Sequence, residues 1–207
     1  MTDEAPSSAK PKRGRPRAFD PALALEGARD TFLRYGYSGA SLDALTAAMK
    51  LNKPSLYAAF GDKRALFRRV LDARVRELGI RYRAAFERGD SVESALAEIF
   101  REAVDLNLHE GGPSGCLIGG PAATEAGADA ELAAFTRTYF ALCDREVGRW
   151  FDAAYQLSPP IKGVAFGRLV TGIIHDLALR ARVGESRSRL REYAKEAALA
   201  LARATGQ

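Results

Sequence analysis

Apolar residues recur at helical spacing soon after the start of the chain. Leu25, Ala28 and Phe32 lie three and four residues apart, which places them on one face of a helix. Asp20 followed by Pro21 is typical of a helix start, with a capping side chain and then a proline in the first turn. Gly36 is a residue that ends helices in a left-handed conformation. The pattern therefore predicts a first helix over residues 21–36.

Three further helices are predicted in quick succession. Ser41 and Asn52 are capping residues that open a second and a third helix, and Asp62 after a glycine opens a longer fourth one. Residues 50–52 leave only a tight connection between the second and third helices, the length found in a helix-turn-helix motif. The inward positions of these helices are Leu42, Leu45, Met49, Leu56, Phe60, Leu66, Phe67, Val70 and Leu71.

The remainder of the chain also has the helical period. Ser91 caps a helix that the Gly-Gly-Pro of residues 111–113 stops, and a long helix is predicted over residues 128–156. Two more are predicted over residues 162–183 and 186–204. No alternation of strand period and no internal repeat are found, so the expected fold class is all-α. The predicted units are a flexible arm (residues 1–18), a helix-turn-helix domain (19–66) and a larger helical domain (67–207).

Composition narrows the class of protein. The chain has 207 residues, of which 47% are hydrophobic and 28% charged, as in an ordinary globular protein. Two cysteines are too few for a secreted disulfide framework. The sequence contains neither an apolar signal segment nor an apolar run of the roughly 20 residues that span a bilayer. A cytoplasmic protein without a membrane partner is expected.

The charge is distributed unevenly. Residues 1–76 contain 15 Lys and Arg against 8 Asp and Glu, a net charge of +7, whereas residues 77–207 carry a net charge of −2. This asymmetry favours a polyanionic partner for the first third, either nucleic acid or an anionic membrane surface. A solvated charged face is the alternative. The basic arm has no aromatic residue before Phe19, which disfavours the membrane.

The third helix carries a polar face opposite its apolar residues. A helix that enters the major groove of DNA presents its first side chains to base edges and phosphates. Serine or lysine at a neighbouring helix start can contact phosphate together with the backbone N–H groups. Asp43 is interpreted either as favourable charge at a helix start or as a cytosine reader. The candidate DNA contacts of these helices are Ser41, Lys53, Ser55, Tyr57, Ala58 and Lys63.

The arm has a second DNA-binding signature. Arg13, Arg15 and Arg17 alternate with glycine and proline, and this Arg-Gly-Arg-Pro core resembles an AT-hook, which inserts arginines into a narrow minor groove. The alternative is a disordered basic tail that raises affinity for DNA without specificity.

At these residues the chain resembles the tetracycline-repressor (TetR) family of transcriptional regulators. The matching stretch extends from Phe32 to Phe67 and includes Gly36-Tyr37, Leu56-Tyr57 and Lys63 in their order and spacing. The resemblance implies a homodimer that binds double-stranded DNA at a palindromic operator, dimerises through its last two helices and responds to a small-molecule effector, most often as a repressor. The alternative is a constitutive architectural DNA-binding protein without an effector.

The second predicted domain contains several candidate residues for an effector site. Each candidate side chain in the second domain also suits ordinary core packing, and His175 is the best single polar candidate. Cys116 precedes a predicted short helix, where a lowered thiol pKa would suit a cysteine-based redox-sensing regulator. A buried, inert Cys116 or Cys143 is the alternative. The candidate pocket residues are Phe86, Phe100, Cys116, Tyr139, Trp150, Phe166 and His175.

One predicted helix carries several small residues, and the sequence contains no recognisable catalytic or metal-binding motif. Gly163, Ala165, Gly167 and Gly172 lie along one predicted helix and would permit close helix approach in a dimer. No phosphate-binding loop, His-Glu-x-x-His motif or nucleophile elbow occurs, and the few histidines and cysteines lack metal-ligand spacing. We therefore expect no enzyme activity, no cofactor and no metal.

Overall fold

The computed structural model describes residues 19–108, 112, 114–157, 159 and 161–206. Within these ranges the chain is helical and contains no strand, which confirms the predicted all-α class. A π-helical turn, Ile118–Ala122, separates the fifth and sixth helices. The helices are α1 (Pro21–Gly39), α2 (Leu42–Met49), α3 (Lys53–Phe60), α4 (Lys63–Phe86), α5 (Val92–Asn107), α6 (Ala123–Glu125), α7 (Ala130–Tyr155), α8 (Gly163–Arg182) and α9 (Arg187–Ala204).

The predicted capping residues begin the helices in the structure. The side chain of Asp20 accepts a hydrogen bond from the Ala22 N–H at 2.8 Å, and Asn52 accepts one from the Ser55 N–H at 2.8 Å. Gly36 has a φ of 74° and interrupts the helical geometry where the sequence predicts it, although α1 resumes for a short turn through Gly39. Capping satisfies N–H groups that have no partner in the first turn of a helix, so these boundaries follow from local sequence.

The first four helices share one hydrophobic core with the π-helical turn and the first half of α7. Phe32 and Phe67 are fully buried with their ring centroids 4.7 Å apart, and the Tyr37 ring lies 5.0 Å from that of Phe67. Leu45 and Leu56 bring α2 and α3 onto the same core. The inward faces of four helices therefore agree with the predicted apolar positions.

A second core lies among the end of α4 and helices α5, α7, α8 and α9. Phe100, Phe151 and Phe166 are completely buried there. The helices α7 and α8 are packed so closely that a Cβ atom on Gly167 would lie 1.8 Å from the Asp144 carbonyl oxygen. A Cβ atom on Gly148 would lie 2.1 Å from the carbonyl oxygen of Gly163. Gly167 was predicted as a small residue for a dimer contact, and the structure instead uses it inside the chain, against α7.

Polar contacts join the first four helices to the rest of the chain. The Ser38 N–H and hydroxyl both donate to the Glu125 carboxylate, at 3.2 and 3.1 Å. Arg64 forms ion pairs with Asp129 at 2.8 Å and with Glu131 at 2.7 Å. These contacts link the end of α1 to α6, and the start of α4 to the start of α7.

The end of α8 also reaches the first core. The Arg182 guanidinium donates to the Leu33 carbonyl oxygen at 2.7 Å, across 149 positions of sequence. The carbonyl precedes the interruption at Gly36, where the regular hydrogen bonding of α1 is broken. The two cores are therefore connected by side chains as well as by the continuous helix α4.

Because a methyl group has no room at Gly167, we expect Gly167→Ala to lower the free energy of unfolding by about 1–3 kcal/mol. The control is Gly79→Ala, since a Cβ on Gly79 meets no atom within 4 Å, and alanine is favoured over glycine in a helix by about 1 kcal/mol. Urea denaturation followed by circular dichroism measures both. Equal stability of Gly167→Ala and the parent chain would contradict the close packing of α7 and α8.

Candidate nucleic-acid interface and ligand cavity

The helix α3 presents a polar surface that the core does not use. Leu56 and Phe60 are buried against the other helices, whereas Lys53, Tyr57 and Ala58 are exposed and Ser55 is half-buried. Tyr57 is a large aromatic side chain with 47% of its surface exposed. The predicted contact residues of α3 therefore form one accessible face at the start and middle of the helix.

Lys53 is already paired with a carboxylate in the free protein. Its ammonium nitrogen lies 2.7 Å from Asp43 Oδ1, and this hydrogen bond, with the charge of Asp43, raises the pKa of Lys53. Both side chains are exposed to solvent, at 51% and 81%, so the pair contributes little to stability and can separate. The sequence interpretation left the role of Asp43 open and missed this partner, because the two residues lie on different helices.

Lys63 and Ser41 have structural contacts in addition to their predicted role. Lys63 Nζ donates to the Ser38 carbonyl oxygen at 3.3 Å and lies 4.8 Å from the centroid of the Tyr37 ring. The Ser41 hydroxyl accepts a hydrogen bond from the Ala44 N–H at 3.1 Å, as the cap of α2. Both residues lie at helix starts, where backbone N–H groups attract anions. The arm arginines Arg13, Arg15 and Arg17 lie outside the described residues.

A cavity of about 230 Å³ lies among α4, α7 and α8. Of the pocket residues predicted from sequence, Tyr139, Trp150 and His175 line it. Phe100 and Phe166 do not, because their rings are fully buried in the second core. Phe86 also packs in that core, and Cys116 borders a smaller neighbouring cavity of about 30 Å³ that shares His175. The full lining is Val75, Leu78, Gly79, Tyr82, Tyr139, Leu142, Cys143, Glu146, Val147, Trp150, Thr171, Ile174 and His175.

Burial keeps four polar groups of the cavity wall neutral. Desolvation raises the pKa of both the Tyr82 and Tyr139 hydroxyls and lowers the pKa of His175, which Asp144 only partly opposes. Desolvation also raises the pKa of the Cys143 thiol to about 11. At neutral pH these side chains are therefore two phenols, an imidazole and a thiol, each uncharged.

The two cysteines differ in their surroundings. Cys143 is a protonated thiol in the cavity wall, which is a poor nucleophile because the thiolate is the reactive form. Cys116 Sγ accepts a hydrogen bond from the Gly119 N–H at 3.4 Å, at the edge of the π-helical turn. The cavity therefore disfavours redox sensing at Cys143.

In a Cys116→Ser variant, the rate of Cys143 alkylation by iodoacetamide is expected to rise about tenfold per pH unit from pH 8 to 10. The thiolate fraction grows in that proportion while the pH stays below a pKa of about 11. Mass spectrometry of quenched samples gives the rate, and the Cys143→Ser variant reports Cys116 for comparison. A rate that levels off below pH 9 would contradict a neutral Cys143.

A short connection between α2 and α3 and an exposed polar face on α3 define a helix-turn-helix unit, and a separate cavity lies among α4, α7 and α8. The family model for "Bacterial regulatory proteins, tetR family" matches residues 24–70. The HTH-type transcriptional repressor ComR of Escherichia coli K12 is 29% identical over 198 residues, covering 94% of each chain. The repressor BdcR of the same organism is 36% identical over 105 residues, covering 51% of this chain and 53% of its own.

Solved structures agree with these relatives. A cysteine mutant of the TetR-family regulator CifR, complexed with a 26-base-pair operator DNA, superposes with a TM-score of 0.75 at 31% identity. The match covers 90% of this chain and 99% of that one. The chain belongs to the TetR family of transcriptional regulators.

In the described part of the chain, no helix combines the length and the hydrophobicity that crossing a bilayer requires. In the same residues, no three His, Cys, Asp or Glu side chains are grouped so that they could hold a metal ion.

Proposed function

We propose that this protein is a homodimeric transcriptional repressor that binds a palindromic operator through α3 and is released from it by a small molecule. The exposed face of α3 is the observation that carries the proposal. It is presented by a rigid helix, directly after a connection of three residues, and its polar side chains have no role in the core. CifR is similar over most of its length and has been solved with operator DNA, which supports the same partner here.

Each side chain of the interface has a role that its chemistry suits. Lys53 exchanges Asp43 for a guanine edge or a phosphate, and Tyr57 donates its hydroxyl to a phosphate. Ser55 contacts a base or a phosphate, and Ala58 allows close approach and can touch a thymine methyl group. Lys63 and Ser41 contact phosphates at the starts of α4 and α2. The arginines of the arm add phosphate or minor-groove contacts.

The proposed dimer uses a second apolar face of α8. Leu169, Leu179 and Val183 are 46%, 60% and 75% exposed, and they lie with Ala165 and Gly172 on the side that faces away from the core. Asp176, ion-paired with Arg180 at 2.7 Å, lies on the same face between Gly172 and Leu179, and the exposed apolar side chains on either side of it are of the kind expected at a protein–protein interface. Reading a palindrome requires a dimer that presents its two copies of α3 to half-sites about 34 Å apart.

The cavity supports the response to a ligand. The helix α4 starts beside α3 at Lys63 and contributes Val75, Leu78 and Tyr82 to the cavity wall. A ligand that displaces α4 would therefore change the position of α3 and the spacing of the two recognition helices. It releases DNA only if it binds the non-DNA-binding conformation more tightly.

Selection of bound duplexes from a random DNA library tests the proposal. We expect enrichment of one palindrome, to which Tyr57→Ala binds about 5- to 150-fold more weakly, since a lost contact costs about 1–3 kcal/mol. Lys53→Ala should in addition accept other bases within each half-site. Lys195→Ala removes an exposed lysine of α9 and serves as the control. Binding without an enriched motif, abolished as salt rises, would indicate an architectural protein instead.

The dimer is tested by Gly172→Leu. A Cβ on Gly172 meets no atom within 4 Å in the isolated chain, so the protomer should fold, whereas the added side chain obstructs a close contact with a second copy. We expect sedimentation velocity to show a monomer for this variant and a dimer for Ala84→Leu, which adds leucine to an exposed position of α4. A dimer of unchanged affinity in Gly172→Leu would place the interface elsewhere.

A further inference from the structure

Gly79 is an unexpected residue in the interior of α4. Glycine costs about 1 kcal/mol relative to alanine at such a position. A Cβ atom placed on Gly79 would meet nothing within 4 Å, so no packing inside the chain requires glycine there. The residue is exposed and borders the cavity, together with the partly exposed Leu142. As an exposed residue of the cavity lining, Gly79 lies where the cavity reaches the surface.

The size of the cavity limits what can enter. Its volume of about 230 Å³ exceeds the roughly 150 Å³ that holds benzene in a dry apolar site. It is smaller than the roughly 300–1,000 Å³ of pockets for drug-sized molecules. The rings of Tyr82, Tyr139, Trp150 and His175 line it. A molecule of one or two rings therefore matches both the volume and the aromatic wall.

The cavity wall lacks a partner for an anion. No lysine or arginine lines it in the described part of the chain, and Glu146 is its one charged residue there. The Glu146 side chain is 31% exposed and forms an ion pair with Arg149. Since a buried charge without a partner is strongly disfavoured, carboxylates and phosphates are excluded.

Two polar groups of the wall are available to a neutral ligand. Neither the Tyr82 hydroxyl nor the His175 ring forms a hydrogen bond with any described residue, and both border the cavity. Phe140 and Tyr139 orient the His175 ring, with centroids at 4.8 and 6.5 Å. Because burial keeps the imidazole neutral, it offers one donor and one acceptor nitrogen. A ligand oxygen near these groups would satisfy them.

We propose that the cavity binds an uncharged aromatic molecule of one or two rings that carries a hydroxyl or carbonyl group, and that Gly79 admits it. The ring lies against Tyr139 and Trp150, and the oxygen bonds with His175 or Tyr82. This inference rests on the proposed response to a ligand, because it names the chemical class that the same cavity takes.

The chemical class of the ligand is tested by isothermal titration calorimetry of the full-length protein at pH 7 without DNA. Three probes with the same naphthalene ring system are compared. We expect 2-naphthol to bind about 3- to 10-fold more tightly than naphthalene, which lacks the hydrogen bond. The anion 2-naphthoate should bind at least about 100-fold more weakly than 2-naphthol. His175→Phe combined with Tyr82→Phe should remove the preference for 2-naphthol over naphthalene while retaining the binding of both.

Gly79→Leu tests the entrance, with Gly79→Ala as its matched control. We expect 2-naphthol affinity to fall at least tenfold in Gly79→Leu and to change less than threefold in Gly79→Ala. Thermal denaturation of both variants confirms that they fold. Three results would overturn the inference. They are an affinity for 2-naphthoate equal to that for 2-naphthol, an affinity of Gly79→Leu for 2-naphthol equal to that of the parent chain, and the absence of binding heat with every probe.

Release of operator DNA is measured separately, by fluorescence anisotropy with 2-naphthol added. Selective binding of 2-naphthol without release would support the cavity assignment and would count against the proposed ligand response. Release of the DNA, combined with an affinity for 2-naphthoate equal to that for 2-naphthol, would support the proposed ligand response but overturn the proposed chemical class of the ligand.

Discussion

The continuity of α4 is the constraint on which the rest of this structure depends. Its first half contributes Leu66 and Phe67 to the core of the helix-turn-helix unit, and its last turn places Phe86 in the second core. A helix is stiff along its axis because each backbone N–H is bonded one turn away. Neither core can therefore move relative to the other without displacing α4 or bending it.

The cavity lies where the two cores meet. Leu78 and Tyr139 belong to the first core, and Val147 and Ile174 belong to the second, yet all four line the same space. Close contact at Gly148 and Gly167 draws α7 and α8 together, whereas α4 contributes side chains to both cores. A gap at such a junction is retained because its surroundings relax only partly. An occupant of this gap would contact both cores at once.

Polar contacts tie the same junction to the DNA-binding unit. Arg182 donates to a carbonyl of α1 from the end of α8, seven residues beyond His175. Ser38 is bonded to Glu125, and Lys63 donates to the Ser38 carbonyl oxygen. These bonds are partly exposed and individually modest, so they can exchange when the helices shift. The arrangement suits a regulator, since the interface and the cavity share α4 and a small number of breakable contacts.

Local chemistry in the sequence was sufficient to predict most of the fold. Caps such as Ser41 and Asn52 and the apolar period of each helix act over three or four residues, and their consequences appear where they were predicted. The exposed face of α3 follows in the same way from the burial of Leu56 and Phe60. The TetR family was likewise identifiable from a continuous stretch of residues.

Tertiary structure determines which residues line the cavity and which residues contact each other across different helices. Phe100 and Phe166 have the same local pattern as Tyr139 and Trp150, and only the crossing of helices separates core rings from cavity rings. The pairing of Lys53 with Asp43, the closeness of Gly167 to α7 and the empty space beside Gly79 also depend on a second helix. A sequence determines which face of a helix is buried, whereas the element packed against that face, and the gap it leaves, depend on the whole chain.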